Sequence, residues 1–240
     1  MRAGRGGGSP SRGAGLIALG LLALLAAACA KSSPPAGSLP PASTLLQQSS
    51  QAMASVSSAH FVLGITGPAV TSVPLNSATG DMDRSGDVQA SANVTELGVL
   101  INAQVIITGG TVYLKIGSSK YTTEPASSFY NPSLLLDPTQ GVSALLAQAT
   151  NGKTVDQESV GSTPTYKVSA SVPTAVLNGL TDLAPGQDTV NAALWIATSG
   201  SRLVKAMVPF KVPGAKTDTV VTATLSQFNV PVSVKAPSTS

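Results

Sequence analysis

The sequence predicts an α+β domain built on one long antiparallel β-sheet of about ten strands, and two observations support this prediction. From residue 60 to residue 123, and again from residue 154 onward, apolar and polar residues alternate with the period of two that is typical of half-buried strands. These segments are joined by short turns rich in glycine, such as Gly109-Gly110, which connect antiparallel neighbours.

A helix is predicted ahead of the sheet. Ser43 is a typical N-cap residue, and apolar residues follow it at helical spacing as far as Val56. The opposite face carries glutamines and serines, none of them charged. We therefore predict a helix from Thr44 to about Ser57 whose apolar face packs against the core.

Six strands are predicted after this helix, and more after a helical interlude. The first six are His60–Thr66, Ala78–Arg84, Asp87–Glu96, Val99–Thr108, Thr111–Gly117 and Lys120–Thr123. The interlude comprises Pro132–Leu136 and Thr139–Thr150. Strands then return at Thr154–Gly161 and Thr165–Val172, followed by a short helix from Pro173 to Leu180. The last strands are Ala192–Thr198, Arg202–Lys211 and Thr217–Phe228, and Val230–Lys235 is left open as one more.

One face of the predicted sheet is apolar across many strands. In the fourth strand, for example, Val99, Ile101, Val105 and Ile107 alternate with residues of the other face. A sheet this wide curls rather than staying flat. The predicted helices supply only roughly 35 residues to cover it. The residues therefore leave two possibilities open: a core that the helices fill, or an interior that also holds a ligand.

Residues 1–28 have the order of charges and apolar residues of an export signal. Three arginines precede an uncharged run from Ala14 to Ala28, and Cys29, the only cysteine of the chain, follows directly. This arrangement resembles a bacterial lipobox, which implies cleavage before Cys29 and acylation of its sulfur. An ordinary secretory signal is the alternative. A transmembrane helix is disfavoured, because these 15 residues reach only about 22 Å, less than the roughly 30 Å of a hydrocarbon core.

The predicted cleavage divides the chain into three parts and changes its charge. Residues 29–42 form the acylated cysteine with a proline- and serine-rich linker, and residues 43–240 form a single domain. Removing Arg2, Arg5 and Arg12 from the 14 basic residues leaves 11, equal to the 11 acidic residues. The mature chain is then neutral, and nucleic acid is excluded as a partner.

The motifs of catalysis and metal binding are missing or incomplete. His60 is the only histidine, which leaves no constellation for zinc or for a serine or cysteine nucleophile, so we interpret it as a solvated or locally bonded side chain. The segment from Asp81 to Gly86 copies the opening of a calcium loop, but Ala92 stands where the bidentate glutamate belongs, and a hairpin turn explains it. Trp195 is interpreted as a core residue rather than the border of a cavity. We expect no cofactor, no metal and no enzyme activity.

The chain from Ser43 to Lys235 resembles the mycobacterial LprG/LppX-type lipoproteins (LppX, LprA, LprF and LprG) in an ordered series of short motifs. They are the helix-to-strand passage from Leu45 to Phe61, Gly80-Asp81, Gly110-Thr111-Val112-Tyr113-Leu114, Phe129-Tyr130-Asn131-Pro132, Leu136-Asp137-Pro138, Gly141 to Leu146, and Leu194-Trp195-Ile196. In the last of these, Leu194 replaces the valine of the family pattern.

The resemblance implies a strongly bent antiparallel half-barrel of about 10–11 strands, with helices on its concave side enclosing an apolar cavity. It also implies a cell-envelope lipoprotein that is anchored at the outer face of the plasma membrane. Such a protein carries multiply acylated lipids or lipoglycans outward, with a membrane lipid transporter as a further partner. The residues we expect to line the cavity are Phe61, Leu63, Ile65, Val99, Ile101, Val105, Ile107, Val112, Leu114, Val204, Val208 and Phe210. The alternative is a scaffold or docking lipoprotein with a filled core.

Overall fold

The computed structural model describes residues 38–68, 75–96, 98–128, 132–180, 188–212 and 214–238. The predicted signal peptide, Cys29 and the linker up to residue 37 lie outside this set, as do Phe129, Tyr130 and Asn131. Residues 36–240 form one compact unit. Across the described residues, the helices are all too short or too polar to span a membrane.

The described chain forms one curved, unclosed antiparallel sheet of eleven strands, which confirms the predicted fold class. The strands run in the order β6-β5-β4-β3-β2-β1-β11-β10-β9-β8-β7, so two meanders meet where β1 pairs with β11. Their bounds are β1 Ser58–Thr66, β2 Leu75–Asp83, β3 Val88–Glu96, β4 Val99–Thr108, β5 Thr111–Ile116, β6 Thr122–Pro125, β7 Thr150–Val160, β8 Thr163–Pro173, β9 Thr189–Ala197, β10 Leu203–Phe210 and β11 Thr219–Ser226.

The segment Val230–Lys235, which the sequence left open as a further strand, lies outside any helix or strand. Both edges of β11 are occupied, by β1 and by β10, so the sheet offers no free edge there. The chain instead bonds to the start of β1: the Asn229 N–H donates to the Ser58 carbonyl, and the Ser58 hydroxyl donates to the Val230 carbonyl.

The helices are α1 Ala42–Ala54, α2 Val142–Gln148 and α3 Thr174–Leu180, with 3₁₀ turns at Ala126–Ser128 and Pro132–Leu136. The prediction of Ser43 as the N-cap is wrong. The N-cap position is Pro41, whose carbonyl accepts the Leu45 N–H at 3.2 Å, and Ser43 lies exposed in the first turn. The helix begins at Ala42 because that side chain is buried beside Gly152 of β7.

The predicted helix over Thr139–Thr150 is shorter in the structure. Residue 149 is already extended, with ψ of 132°, and β7 begins at Thr150. At the other end Gly141 leads into α2. A Cβ at this position would lie 2.4 Å from the Leu135 carbonyl oxygen and 2.6 Å from those of Leu134 and Asp137, so only glycine fits. This close approach holds Gly141, and with it the start of α2, against the 3₁₀ turn.

The helices lie on the concave face and cover it unevenly. Helix α1 packs on α2 and β7, while α2 and α3 pack on β8. The 3₁₀ turn at Pro132–Leu136 contacts α3 and reaches β2. Under this layer the apolar residues of β8 and β9 are almost fully buried. We call Val168, Val172, Val190, Leu194 and Ile196 the covered region; none is more than 4% exposed.

Candidate functional site

The candidate site is an apolar part of the concave face that, among the described residues, stays outside the buried core cluster. Leu63 and Ile65 of β1, Val99 and Ile101 of β4, and Leu114 of β5 are half-buried or exposed, and none of them belongs to the buried core cluster or packs against it. We call these five residues the open region. All of them were predicted as cavity residues, and Val99 is the most exposed at 60%.

The strand register shows that the open region is one continuous surface. Val105 pairs with Leu114 across β4 and β5, while Leu63 and Ile65 pair with Ala223 and Val221 of β11. Directly paired residues of antiparallel strands point to the same face. The apolar side chains of β1, β4, β5 and β11 therefore face the same concave space.

Small residues of β2 and β3 form the floor between these strands. Phe61 pairs with Gly80, Gly80 with Ala90, and Ala90 with Val105, so one row crosses the sheet from large to small to large side chains. The next row repeats this pattern through Ala78, Ala92 and Ala103. We call this strip of small residues flanked by larger ones the trough. Its small floor residues were missed from the sequence, where Ala78 and Gly80, and then Ala90 and Ala92, could have indicated them by their alternate spacing on either side of the turn.

The other predicted residues lie around this trough or away from it. Phe61 and Val105 are half-buried and pack against the core cluster, so they border the open region. Ile107, Val112, Val208 and Phe210 belong to the buried core itself. Val204 is different: a β-bulge between Leu203 and Lys205 changes the register of β10 there, and the core cluster takes Leu203 in its place.

A separate cleft of about 450 Å³ lies at the end of the sheet where β11 finishes. The open region contributes nothing to its lining, and Val204 is the one predicted residue in it. Arg202 lines the cleft, with its guanidinium carbon 5.2 Å from the centroid of the Phe228 ring. The remaining lining residues are Val160, Gly161, Ser162, Thr163, Ala197, Ser199, Thr224, Leu225, Ser226 and Gln227.

His60 lies on the convex face in a local network, as interpreted from the sequence. Its Nδ1 is 2.7 Å from Asp81 Oδ1, and its Nε2 is 3.4 Å from Thr79 Oγ1. A hydroxyl, an imidazole and a carboxylate in this order can transfer a proton. The site is nevertheless open: the side chains of His60 and Asp81 are 28% and 50% exposed, and the adjacent backbone belongs to the β1–β2 ladder. An acyl-transfer reaction would need N–H groups free to bind an oxyanion.

Trp195 is buried, as interpreted from the sequence, but it lies on the convex face and outside the core cluster. It lies between Lys167 and Lys205, whose Nζ atoms are 4.9 and 4.6 Å from its ring centroid. Its Nε1 donates to Glu158 Oε1 at 2.6 Å. This hydrogen bond, and then the nearby Lys167, holds the pKa of the Glu158 carboxyl below its usual value. The lysine stems shield the indole from water without help from the core cluster.

The calcium-like segment forms the β2–β3 turn, as predicted. The N–H groups of Ser85 and Asp87 and the Ser85 hydroxyl all donate to Asp83 Oδ1, so this carboxylate oxygen is used within the turn. Arg84 extends to the end of α1 and donates to the Ala54 and Val56 carbonyls. Within the part of the chain that the structure describes, no three His, Cys, Asp or Glu side chains are placed to hold a metal ion.

Comparison with known proteins gives a consistent result. The model of the LppX_LprAFG lipoprotein family matches residues 41–234. The chain is 31% identical over 219 residues to a protein of Mycolicibacterium hassiacum named lipoarabinomannan carrier protein LprG, covering 89% of this chain and 92% of the relative. It is 28% identical over 236 residues to the putative diacylated glycolipid transporter LprF of Mycobacterium tuberculosis, covering 92% and 90%.

Solved structures show the same fold. The crystal structure of LprF from Mycobacterium bovis superposes with a TM-score of 0.70 at 25% identity, covering 82% of this chain and 96% of that one. The structure of the lipoprotein LppX from Mycobacterium tuberculosis has a TM-score of 0.60 at 22% identity, covering 82% and 100%. The second likeness concerns the fold alone.

Proposed function

The chain belongs to the LppX_LprAFG lipoprotein family, and from that premise we propose that it carries acylated lipids by holding their chains against the open region. The observation that carries this proposal is an apolar surface on the concave side of the sheet whose described side chains are half-buried or exposed and lie outside the core cluster. Large apolar surfaces exposed on a soluble domain mark places where another apolar molecule binds.

Burial of alkyl chains supplies enough free energy for such binding. Each buried CH₂ group contributes about 0.8 kcal/mol, so a long acyl chain contributes on the order of 10 kcal/mol before the cost of ordering it. This ligand needs a wide aliphatic surface and few charges, and charged residues make up only 10% of the chain. Binding by burial requires no catalytic group, so we propose a carrier and not an enzyme.

The ligand we propose is a glycolipid or lipoglycan with more than one acyl chain. Two relatives are named for such molecules, one as a carrier of lipoarabinomannan and one as a putative transporter of diacylated glycolipids. Val99 and Ile116, at the hairpin ends of β4 and β5, are 60% and 40% exposed, so a head group too large to enter can remain in water while the chains are held. In the loaded state the helices and the lipid together would close the apolar cavity implied by the family resemblance.

We further propose that Cys29 is acylated after cleavage and ties the domain to the outer face of the plasma membrane. A single acyl chain binds a membrane only reversibly, and stable anchoring takes a second signal in addition. The linker between Cys29 and the start of α1 at Ala42 spans at most about 40 Å when extended, so the domain stays close to that surface. Transport would then run outward, with a membrane lipid transporter as a partner.

Native mass spectrometry with lipid extraction tests the carrier function. The chain from Ala36 to Ser240, a compact unit, is produced in a mycobacterial host that contains acylated lipids. Because this chain lacks Cys29, its own anchor cannot add lipid. We expect a bound species that extracts as a di- or triacylated lipid. An apo mass that stays unchanged after incubation with added glycolipid would contradict the proposal.

A scaffold lipoprotein with a filled core is the second candidate, and the fully packed covered region favours it. In that function the domain would dock other envelope proteins and would copurify without lipid. The same experiment separates the two candidates, because only the carrier predicts a lipid of defined class in a fixed ratio to the protein.

A further inference from the structure

The β3–β4 hairpin ends in apolar residues that the fold leaves in solvent. Val99 and Leu100 are 60% and 62% exposed, the highest values among the large apolar residues that the structure describes. Val99 forms the last pair of the ladder with Glu96, so both apolar residues lie at the end of the hairpin. Since successive residues of a strand point to opposite faces, the hairpin presents an apolar side chain on each side.

The neighbouring hairpin extends this apolar end. Ile116, the last residue of β5, is 40% exposed. The Gly117 N–H donates to the Asn102 carbonyl at 2.8 Å, which places the β5–β6 turn beside the start of β4. Val99, Leu100 and Ile116 together form what we call the apolar tip.

Behind the apolar tip lie side chains with an apolar body and a polar end. The Tyr121 hydroxyl donates to Gln104 Oε1 at 2.7 Å, and Lys115 Nζ is 5.7 Å from the centroid of the Tyr121 ring. Lys120 is exposed in the same turn. Tyrosine and lysine behind an apolar end are the groups that occupy the head-group level of a bilayer. Apolar burial carries most of the binding, and the two lysines add attraction to anionic head groups.

The apolar tip is continuous with the open region. Val99 belongs to both, and Ile101 and Val105 extend the same face of β4 toward the buried core. An acyl chain that enters at the tip therefore meets apolar side chains at each step along β4. A protein groove would need only one face of the hairpin, whereas a bilayer surrounds both faces.

We propose that the apolar tip inserts into the boundary between head groups and acyl chains of a phospholipid bilayer, so that lipid enters the open region without crossing water. The first half of this proposal stands on the geometry of the tip alone. The second half rests on the proposed carrier function.

Tryptophan fluorescence measures the insertion. Leu100→Trp and the control Val62→Trp both replace exposed apolar residues, and Val62 lies on the convex face at 47% exposure. The full-length lipidated proteins are reconstituted into vesicles of phosphatidylglycerol and dibrominated phosphatidylcholine. We expect the bromines to quench the indole introduced by Leu100→Trp and not the indole introduced by Val62→Trp. The wild type supplies the background from Trp195, the only native tryptophan. Equal emission of the Leu100→Trp variant with and without bromine would overturn the proposal.

A transfer assay tests the consequence and separates it from lipid binding. For the variant Leu100→Ser, a residue of the apolar tip that lies outside the open region, we expect the rate of glycolipid uptake from vesicles to fall about tenfold, since this apolar side chain no longer enters the bilayer. Loading from detergent-solubilised glycolipid should stay unchanged.

Two further outcomes of the fluorescence experiment are distinct. If the indole of Leu100→Trp is quenched but the protein binds no glycolipid, the result supports insertion of the apolar tip into the bilayer and contradicts the carrier function. The indole of Leu100→Trp could instead be shielded in intact cell envelopes but not quenched in protein-free vesicles. That result would identify a protein as the partner and overturn the proposal that the apolar tip inserts into a bilayer.

Discussion

The covered region and the open region carry the same kinds of residue on the same face of one sheet, but the protein buries only the first. Val168, Leu194 and Ile196 lie beneath the helices at 0% exposure. Leu63, Ile101 and Leu114 are equally apolar and equally in register, yet they stay half-buried because α1, α2 and α3 pack on β7 and β8. The covered region holds the fold together, and the open region is surface that the fold alone does not need.

Matched truncations should separate the two regions most strongly. Ile196→Ala removes a fully buried side chain and should lower the free energy of unfolding by about 2–5 kcal/mol, since a cavity remains under the helices. Ile101→Ala removes the same atoms from a half-buried position and should cost less than about 1.5 kcal/mol. Urea unfolding of the lipid-free chain measures both. Equal losses would show that the open region is packed like the core.

Two glycines test the floor of the trough. A Cβ on Gly80 would lie 2.3 Å from the Gln89 carbonyl oxygen and 2.6 Å from Ala90 Cα, so Gly80→Ala forces β2 and β3 apart and should destabilise the protein by about 1–3 kcal/mol. Gly64, on the adjacent strand, has nothing within 4 Å of that position. Gly64→Ala should be neutral or stabilising by up to about 1 kcal/mol. The difference in thermal midpoint between the variants measures this, and a harmless Gly80→Ala would mean that the strands can separate freely.

The smallest effect is expected from the convex face. The Trp195 hydrogen bond and the nearby Lys167 hold the pKa of the Glu158 carboxyl below its ordinary value. A carboxyl with a lowered pKa in the folded state contributes stability above its ordinary pKa and loses that stability as the pH falls through the lowered pKa. Titrating Trp195 emission through this acidic range should show a transition that is absent in Glu158→Gln. If the emission of the wild type stays constant as the pH falls, the Trp195–Glu158–Lys167 cluster does not contribute this pH-dependent stability.

Local patterns predicted much of the sheet, because they depend only on neighbouring residues. The predicted bounds of β4 match the structure, and its apolar face is the one that points inward. The β2–β3 turn was likewise predicted from Ser85 and Gly86. The series of short motifs added the bent, unclosed shape, which alternation alone does not determine.

The rest depends on contacts between distant residues. Which part of the apolar face is covered depends on where α1 packs, and α1 is placed by Ala42 against Gly152, 110 positions away in the chain. The position of Val204 in the cleft at the end of the sheet was not predicted, because a bulge in β10 leaves no clear mark in the sequence. The burial of Trp195 was predicted but its convex surroundings were not, because two lysines can bury an indole as well as apolar residues can.

Lipid occupancy in two tryptophan variants tests the central claim most directly. Ile101→Trp places a large ring in the open region, while Val62→Trp places the same ring on the convex face. Native mass spectrometry of the chain from Ala36 should show a bound di- or triacylated lipid that falls about tenfold in Ile101→Trp and is unchanged in Val62→Trp, since only the first ring competes for the acyl-chain surface. Equal occupancy in both variants, with both folded, would contradict the account and place the lipid elsewhere.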